Sequence, residues 1–398
     1  MIAEGNTSEE STESAGFALS SRRDPLIIGF DGKRAVQNYT GLGNYSRYII
    51  RILSEYFPAN KYKVYSTRPI GSQLDGSGWN NRLSVSFAQP RRKRFKSLWR
   101  SYGIIKDLKR DGIEIYHGLS NEIPFGIRRS GIRSVVTIHD LIFLRYPAYY
   151  PAFDRKMYQL KFRYACKNAD KIIAISEQTR RDIIHYFKIA EERIEVIYQN
   201  CSERFVREPS KTDLQRVRKS YNLPEKYILN VGTIESRKNL LLIVKALREV
   251  DARVHLVVIG RRTQYAETVV RHIEEYKLGN RVHFLSNVSN DDLPAIYRQA
   301  EIFVFPSRFE GFGIPIIEAL HSKIPVIAAT GSCLEEAGGP ESLYVNPDDA
   351  VELAKAISSV LNDPDKRRRM IEAGLEYVKR FDDKLIAKQL TDLYETLK

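Results

Sequence analysis

The chain has 398 residues, of which 43% are hydrophobic and 28% are charged, which is enough for two ordinary globular domains. This composition excludes a wholly disordered chain, a collagen-like repeat and a disulfide scaffold. The net charge of +14 is uneven: residues 26–200 carry +16 and residues 201–398 carry +1, so the first half is expected to face an anionic partner. The three cysteines, Cys166, Cys201 and Cys333, are far apart and form no C-x-x-C pair, which favours a reducing compartment over a structural zinc site.

The N-terminal stretch, residues 1–25, is rich in Ser and Glu and has neither a basic start nor an apolar centre. It is therefore predicted to be a disordered tail and not a signal peptide. No apolar run along the chain approaches the roughly 18 residues that a membrane-spanning helix needs. The sequence thus predicts a cytoplasmic protein.

Short β-branched runs alternate with helix-length amphipathic stretches. Strands are predicted in the first half at 26–30, 63–66, 83–87, 113–117, 135–139, 172–176 and 194–197, and in the second at 227–231, 255–259, 282–285, 302–305 and 325–328. Helices are predicted at 44–56, 151–168, 177–187, 239–250 and 382–397. Nearly continuous apolar strands separated by helices indicate parallel sheets covered on both faces.

Because this order occurs twice, we predict an α/β protein with two doubly wound domains facing across a cleft. The expected boundaries are 1–25 for the tail, 26–205 for the first domain, 206–224 for a polar linker, 225–380 for the second domain and 381–398 for a final helix. Ligands of such domains bind beyond the carboxyl ends of the strands. The motifs that follow fall at those ends.

A glycine-containing loop follows the first predicted strand, in Gln-Asn-Tyr-Thr-Gly-Leu-Gly-Asn-Tyr at 37–45. It resembles the start of a dinucleotide-binding G-x-G-x-x-G, but Ser46 stands in place of the last glycine, so it is a weak NAD fingerprint. Gly41 and Gly43 are better interpreted as a loop whose backbone approaches a phosphate.

A basic segment, residues 91–110, interleaves Lys and Arg with Phe95, Leu98 and Trp99. Three interpretations are open. It could lie on an anionic membrane, bind nucleic acid, or be a solvated helix whose apolar residues belong to the core.

His139 and Asp140 stand at the carboxyl end of a predicted strand, on the side expected for the ligand. A lone histidine is also a common structural residue. The seven histidines form no zinc-binding spacing, and the one D-x-D, at Asp363 and Asp365, is typical of a helix cap, so no metal site is predicted.

Two further motifs follow strands of the second half. In the first, at 230–240, Arg237 and Lys238 occupy a turn where cations would stabilise the charge of a departing diphosphate, although a solvated basic turn is an alternative. In the second, at 305–320, two glycines lead into a helix, with Glu310 in the loop and Glu318 inside the helix. A helix N-terminus suits a phosphate and carboxylates suit sugar hydroxyls, which together indicate a nucleotide-sugar; a capped helix with solvated glutamates is the alternative.

These residues resemble a known family. Glu310 and Glu318, within S-R-F-E-G-F-G-I-P-I-I-E-A-L, are similar to the signature of retaining GT-B glycosyltransferases of family 4. V-G-T-I-E-S-R-K-N-L, T-G-L-G-N-Y, T-I-H-D-L, A-D-K-I-I-A-I-S-E and S-C-L-E-E-A-G-G-P resemble segments of the same family in the same order, from about residue 26 to the end. The T-G-L-G-N-Y and G-T-I-E-S-R-K-N forms look most like bacterial mannosyltransferases of surface-polysaccharide assembly.

The resemblance implies GT-B architecture with two Rossmann-like domains, the first binding the acceptor and the second the nucleotide-sugar, and a last helix that crosses back to the first domain. It implies that Glu310 contacts donor-sugar hydroxyls, Glu318 the ribose and His139 the sugar near the reacting carbon. The remaining implied contacts are Arg237, Lys238, Gly41, Gly43, Gly232 and Thr233 with the phosphates, the backbone of Phe312, Gly313 and Ile314 with the sugar, and Val288 and Ser289 with the base. Many relatives carry an arginine where this chain has Thr233, which weakens that one phosphate assignment.

The implied activity is transfer of a hexose, mannose from GDP-mannose, with retention of configuration and without a metal or other cofactor. The expected acceptor is a lipid-linked oligosaccharide, and the expected location is the inner face of the cytoplasmic membrane, held there by the basic segment at 91–110 and not by nucleic acid. Alternatives are a transferase of the same fold that uses UDP-glucose or another hexose donor, a non-enzymatic basic protein that binds membrane or nucleic acid, and a nucleotide-sugar epimerase.

Overall fold

The computed structural model describes residues 24–38, 40–68, 84–89 and 96–398. Its first sheet is parallel, with strands in the order β3-β2-β1-β4-β5-β6-β7. The strands are β1 (Ile27–Asp31), β2 (Lys61–Tyr65), β3 (Val85–Ala88), β4 (Ile115–Gly118), β5 (Arg133–Ile138), β6 (Lys171–Ala174) and β7 (Ile194–Val196). Ile28 in the central strand pairs with Tyr62 on one side and with Ile115 on the other.

The second sheet is also parallel, in the order β10-β9-β8-β11-β12-β13. Its strands are β8 (Tyr227–Val231), β9 (His255–Ile259), β10 (Val282–Leu285), β11 (Ile302–Phe305), β12 (Val326–Ala329) and β13 (Leu343–Val345). Every predicted strand is present within two residues of its predicted bounds, and Leu83 alone lies outside the described residues. The sequence analysis missed β13, because a three-residue strand at a sheet edge is too short to show periodicity.

Helices cover both sheets. Those of the first half are α1 (Lys33–Gln37), α2 (Gly41–Tyr56), α3 (Lys96–Leu98), α4 (Ile104–Arg110), α5 (Ile142–Arg145), α6 (Ala152–Asn168) and α7 (Glu177–Phe187), with a π-helical turn at Trp99–Gly103. Those that follow are α8 (Glu203–Val206), α9 (Lys211–Ser220), α10 (Leu240–Ala246), α11 (Tyr265–Glu275), α12 (Leu293–Arg298), α13 (Ile314–His321), α14 (Leu334–Gly338), α15 (Ala350–Leu361), α16 (Pro364–Tyr377) and α17 (Asp383–Glu395). None of the described helices is both long and apolar enough to cross a lipid bilayer.

The strand-to-helix turns follow local sequence rules. Ser176 lies two residues after β6 and caps α7, where its Oγ accepts a hydrogen bond from the Thr179 N–H at 3.1 Å. Helix α2 buries Ile49, Ile52 and Leu53, which recur at three- and four-residue spacing and so form one apolar face against the first sheet. The carboxyl ends of the strands in both sheets therefore lie beside the N-termini of the helices that follow them. The candidate site lies at these ends.

The segment 206–224 is more ordered than a linker. It contains the ten-residue helix α9, which Ser210 caps by accepting a hydrogen bond from the Asp213 N–H at 3.1 Å. Val217 of α9 is fully buried, and Arg216 forms an ion pair with Asp292 at 2.7 Å. Residues 211–220 of the predicted linker thus form a helix that puts one apolar side chain into the core, while the predicted domain boundary itself stays a prediction.

The last helix packs on the first half of the chain. Asp383, at its first turn, accepts hydrogen bonds from Tyr48 at 3.0 Å and from Arg51 at 2.7 Å, both on α2. At its other end the Tyr394 hydroxyl lies 2.7 Å from Nδ1 of His117, in β4. Both ends of α17 are thus tied to the domain built on the first sheet.

Candidate active site

A cleft of about 900 Å³ lies where the carboxyl ends of the two sheets meet. It is lined from the first half by the start of α2 and by the residues after β5, and from the second half by the loop after β11 and the start of α13. Seven of the residues predicted for the site line this cleft: Gly41, His139, Glu310, Phe312, Gly313, Ile314 and Glu318. The structure thus brings together motifs that lie far apart in the chain.

Two glycines allow the loop after β11 to approach its neighbours closely. A Cβ on Gly311 would lie 2.4 Å from the carbonyl oxygen of His139, and the Gly311 carbonyl accepts a hydrogen bond from Ser176 at 2.8 Å. A Cβ on Gly313 would lie 2.9 Å from the Cβ of Ala337. Gly311 therefore lets the second domain touch the backbone of the first beside the cleft.

Glu310 is the centre of an ion-pair cluster. Its Oε1 lies 2.5 Å from Lys238 Nζ, 2.9 Å from Arg237 Nη1 and 2.5 Å from Ser307 Oγ. Burial raises the pKa of Glu310, but Lys238 and Arg237 lower it by more, so its net pKa lies below the ordinary value and the carboxylate is ionised at neutral pH. Arg237 and Lys238 do not line the cleft themselves and stand behind Glu310.

Glu318 lies one helical turn inside α13 and has no cationic partner among the described residues. Burial raises its pKa to about 7, while a hydrogen bond from the Tyr297 hydroxyl, at 2.8 Å, opposes that rise. The two glutamates of the motif are therefore in different states near neutral pH: Glu310 is charged and Glu318 is close to half-protonated.

His139 is held in one orientation. Its backbone N–H donates to Asn121 Oδ1 at 2.8 Å, and its Nε2 lies 2.9 Å from the carbonyl oxygen of Leu119. Nε2 must therefore carry the proton, which leaves Nδ1 as an acceptor. Burial lowers the pKa of His139 to about 4, so the ring is neutral at pH 7.

The two glycines of the first loop differ in role. Gly41 lines the cleft, and a Cβ there would meet nothing within 4 Å. Gly43 does not line the cleft, and a Cβ there would lie 1.7 Å from the carbonyl oxygen of Asn38. Gly43 is therefore needed where the start of α2 packs on the end of α1, and its contact with a phosphate stays a prediction.

Four other predicted residues lie outside this cleft. Gly232 and Thr233 follow β8, and the nearest atoms to a Cβ on Gly232 are carbons of the Lys238 side chain, at 3.8 Å. Val288 packs against the hydrophobic core, and Ser289 Oγ accepts a hydrogen bond from the Asp292 N–H at 3.0 Å. In that region the cleft is lined instead by Asn290 and Leu293.

Asp140, singled out with His139 at the end of β5, also lines the cleft and is half-buried; burial raises its pKa, and Arg237 is close enough to lower it in part. Other cleft residues were not selected from the sequence. Arg47 and Arg51 of α2 line the cleft, as does the connecting stretch from Gln199 to Arg207. The local sequence pattern of that stretch does not identify its residues as cleft residues, because their place in the cleft depends on how the two domains meet.

The described residues contain no group of three or more His, Cys, Asp and Glu side chains that could hold a metal ion. The arrangement instead offers a charged carboxylate, two cations, a neutral imidazole and a helix N-terminus around one cleft. These groups suit a ligand that carries both hydroxyls and phosphates.

Comparison with known proteins identifies the family. Residues 47–199 match the family model "Glycosyltransferase Family 4", and residues 212–377 match "Glycosyl transferases group 1". The chain is 30% identical to O-antigen chain mannosyltransferase B of Escherichia coli over 290 residues, 71% of this chain and 74% of that protein. It is also 30% identical to O-antigen chain mannosyltransferase RfbU of Salmonella typhimurium over 250 residues, 62% of this chain and 65% of that protein.

The fold agrees with a solved glycosyltransferase structure. The crystal structure of a glycosyltransferase from Rickettsia africae superposes with a TM-score of 0.74 and 18% identity, covering 94% of this chain and 99% of that one. Two parallel-sheet Rossmann-like domains facing across a cleft are the GT-B architecture. On its sequence and its fold, this chain belongs to glycosyltransferase family 4.

Proposed function

We propose that this glycosyltransferase transfers mannose from GDP-mannose to a lipid-linked oligosaccharide during assembly of a bacterial surface polysaccharide. The observation that carries the proposal is the cluster in which Arg237 and Lys238 pair with Glu310, which lines the same cleft as His139. The names of the relatives from Escherichia coli and Salmonella typhimurium support mannose as the sugar and an O-antigen-like glycan as the product.

The cluster suits the departure of a diphosphate. Arg237 and Lys238 provide two positive charges, and the N-terminus of α13 provides free backbone N–H groups on the same side of the cleft. In this proposal these groups stabilise the negative charge that builds on the leaving oxygen. The same two cations take the part that a divalent metal plays in other transferases, and so we propose a metal-independent reaction.

In the proposed reaction the bond between the anomeric carbon and the phosphate oxygen breaks while the acceptor oxygen forms its bond on the same face of the sugar. The acceptor's proton passes to the departing phosphate, so that configuration is retained without a protein nucleophile. Glu310 accepts hydrogen bonds from donor-sugar hydroxyls, and Glu318 accepts from the ribose. The neutral His139 ring faces the sugar with Nδ1 as an acceptor.

The second candidate is the same reaction with UDP-glucose or another UDP-hexose as donor. Asn290 and Leu293 line the cleft near the region assigned to the base, and neither side chain selects guanine over uracil by its chemistry alone. The donor is therefore the part of the proposal that most needs measurement.

The location that we propose is the inner face of the cytoplasmic membrane. The lipid-linked acceptor requires it, and the excess of positive charge in residues 26–200 suits an anionic surface. Of the basic segment at 91–110, residues 91–95 lie outside the described part of the chain, while residues 96–110 form α3, the π-helical turn and α4.

The test is direct. The purified protein is given GDP-mannose or UDP-glucose with a lipid-linked acceptor, in the presence of a metal chelator, and the anomeric configuration of the product is read by NMR. Thermal shifts with GDP, UDP and ADP measure the base preference, since a ligand at 100 times its Kd stabilises by about 2.7 kcal/mol. Selective stabilisation by GDP and an α-linked mannosyl product are expected. Inversion of configuration, or loss of turnover with the chelator, would overturn the proposed chemistry.

A further inference from the structure

We propose that an apolar ridge on α6 is the surface by which this enzyme contacts an anionic lipid bilayer. This inference rests on the proposed function in one respect, the lipid-linked acceptor. The ridge is defined as Phe153, Met157 and Leu160 of α6, with Leu98 and Tyr102 beside them. These side chains are bulky and apolar, and the protein leaves them exposed: Phe153 is 73% and Leu160 64% exposed.

Helix α6 differs from a helix that merely covers a sheet. It has 17 residues, and of these only Ala165 and Cys166 are fully buried. Phe153, Met157 and Leu160 recur at four- and three-residue spacing and therefore lie on one face. The opposite side carries Tyr158 and Phe162, which pack on Phe143 with ring centroids 5.8 and 5.2 Å apart. The inner face thus packs within the domain, while Phe153, Met157 and Leu160 on the outer face stay exposed.

Ring contacts join α6 to the second part of the ridge. Tyr164 lies one turn after Leu160 and packs on Phe125, with ring centroids 4.4 Å apart, and Phe125 stacks on Tyr102 at 5.0 Å. The Tyr164 hydroxyl also accepts a hydrogen bond from the Gly126 N–H at 2.8 Å. These contacts connect α6 to Tyr102 and hold both parts of the ridge on the same domain.

The charges around the ridge favour an anionic partner. Residues 152–168 contain five Lys and Arg but one acidic residue, Asp154. Lys156, Arg163 and Lys167 form no ion pair with any other described residue, so their charges face outward unneutralised. Large apolar side chains flanked by Lys and Arg are the composition of helices that lie in the interface of an anionic membrane.

The same charges disfavour the other occupants of such a face. A second copy of the chain would place two strongly positive helices against each other, which is repulsive. Protein interfaces are depleted in Lys at their cores, whereas this ridge has Lys156 between Phe153 and Met157. A bilayer accepts both features, because its acyl region takes the rings and its phosphates take the cations.

The position of the ridge relative to the cleft connects the proposed membrane contact with access to the acceptor. Arg100, between Leu98 and Tyr102, pairs with Asp31 at the carboxyl end of β1, at 2.5 Å. Lys161, next to Leu160, pairs with Glu122, which follows β4, at 3.3 Å. The ridge therefore borders the carboxyl edge of the first sheet, which is the edge that faces the cleft. An enzyme resting on it presents its acceptor side to the bilayer.

The experiment measures binding of the full-length protein to vesicles, independently of turnover. Vesicles of phosphatidylcholine with 30% phosphatidylglycerol are compared with pure phosphatidylcholine by sedimentation. The wild type is expected to bind the anionic vesicles, and the double variant Phe153→Ser, Leu160→Ser to bind them at least tenfold more weakly. The matched control is the double variant Val351→Ser, Leu385→Ser. It removes two apolar side chains of the second half of the chain that are 56% and 42% exposed. This control is expected to bind the anionic vesicles as the wild type does.

A second readout places the ridge in the lipid. Leu160→Cys, labelled with an environment-sensitive dye, is expected to brighten when anionic vesicles are added, whereas the same label at Leu385→Cys is not. Unchanged vesicle binding by the double variant, no binding by the wild type, or a label at 160 that stays in water would each overturn the proposal. Turnover of the donor with a water-soluble acceptor is expected to be the same in the double variant as in the wild type, so a failure of the proposed transfer reaction is seen separately.

Discussion

The Tyr394 hydroxyl, on the last helix, lies 2.7 Å from Nδ1 of His117 in a central strand of the first sheet. The contact continues inward: His117 Nε2 lies 2.8 Å from Thr137 Oγ1, which lies 3.0 Å from the Tyr45 hydroxyl. Tyr45 in turn packs its ring against His139, with centroids 4.6 Å apart. A chain of buried polar contacts therefore links the C-terminal helix to a residue of the cleft.

The first prediction concerns that link. Tyr394→Phe leaves one nitrogen of the buried His117 without a partner, so the free energy of unfolding is expected to fall by about 1–3 kcal/mol. Urea unfolding at pH 7 measures the loss. The control is Tyr276→Phe, because the Tyr276 hydroxyl forms no hydrogen bond with the described residues, and it is expected to change little. Equal stability of the two variants would mean that the His117 contact contributes nothing.

The second prediction tests Glu310. Glu310→Gln keeps the shape of the side chain but removes the charge that Lys238 and Arg237 surround. The variant is expected to fold and to lose about 10²–10³ in kcat, the range found when a preorganised polar contact to the reacting group is removed. Glu235→Gln is the control, since Glu235 also pairs with Arg237, at 2.7 Å, but does not line the cleft. Near-normal turnover by Glu310→Gln contradicts the assignment.

The third prediction follows from the pKa of Glu318, which burial raises to about 7 from a usual value of 4.5. Between these two pH values the unfolded chain has released a proton that the folded protein still holds. Stability therefore falls as pH rises through this window, by about 1.4 kcal/mol per pH unit from this one group.

Glu318→Gln removes that contribution, so its unfolding free energy is expected to decline less than that of the wild type between pH 5 and pH 7. Urea unfolding at intervals of one pH unit measures both proteins. Glu341→Gln, at an exposed glutamate, is the matched control and is expected to follow the wild type. Parallel curves for Glu318→Gln and wild type would show that Glu318 titrates normally.

The fourth prediction concerns the diphosphate. Lys238→Met removes one cation of the cluster and is expected to weaken binding of a nucleoside diphosphate about 10- to 100-fold, as the loss of a charge-assisted hydrogen bond does. Binding of the matching nucleoside monophosphate is expected to change less. Calorimetry measures both ligands. Lys245→Met, at an exposed lysine of α10 that forms no ion pair with the described residues, is the control. Equal weakening of both nucleotides would place Lys238 away from the second phosphate.

The fifth prediction separates the two loop glycines. A Cβ on Gly43 collides with the Asn38 carbonyl, so Gly43→Ala is expected to lower the free energy of unfolding by about 1–3 kcal/mol. Gly41→Ala has open space around its Cβ and is expected to leave stability within about 1 kcal/mol of the wild type. Because Gly41 lines the cleft, its variant is expected to change donor affinity and not folding. Thermal unfolding and nucleotide binding distinguish the two.

The local hydrophobic pattern of the sequence was sufficient to predict most of the strands and helices. Strands such as Ile302–Phe305 and Val326–Ala329 are apolar along their whole length because both faces of a parallel sheet are covered, and this pattern is visible in the sequence without any knowledge of neighbouring strands. The edge strand Leu343–Val345 is too short to show a periodic pattern. The helix at Lys211–Ser220 was not predicted because its sequence is polar and it buries one residue, Val217. Both misses arise where few residues face the core.

The sequence by itself determined the architecture and which motifs end at which strands, because hydrophobic periodicity and glycine placement are local. Only the tertiary structure decided that contacts with Lys238 and Arg237 keep Glu310 charged while burial raises the pKa of Glu318 to about 7, since a pKa depends on groups that are distant in the chain. It also decided that Gly43 packs against Asn38 and that Phe153, Met157 and Leu160 on one face of α6 stay exposed. A helix's periodicity shows that it has an apolar face, but what that face meets is set by how the whole chain packs.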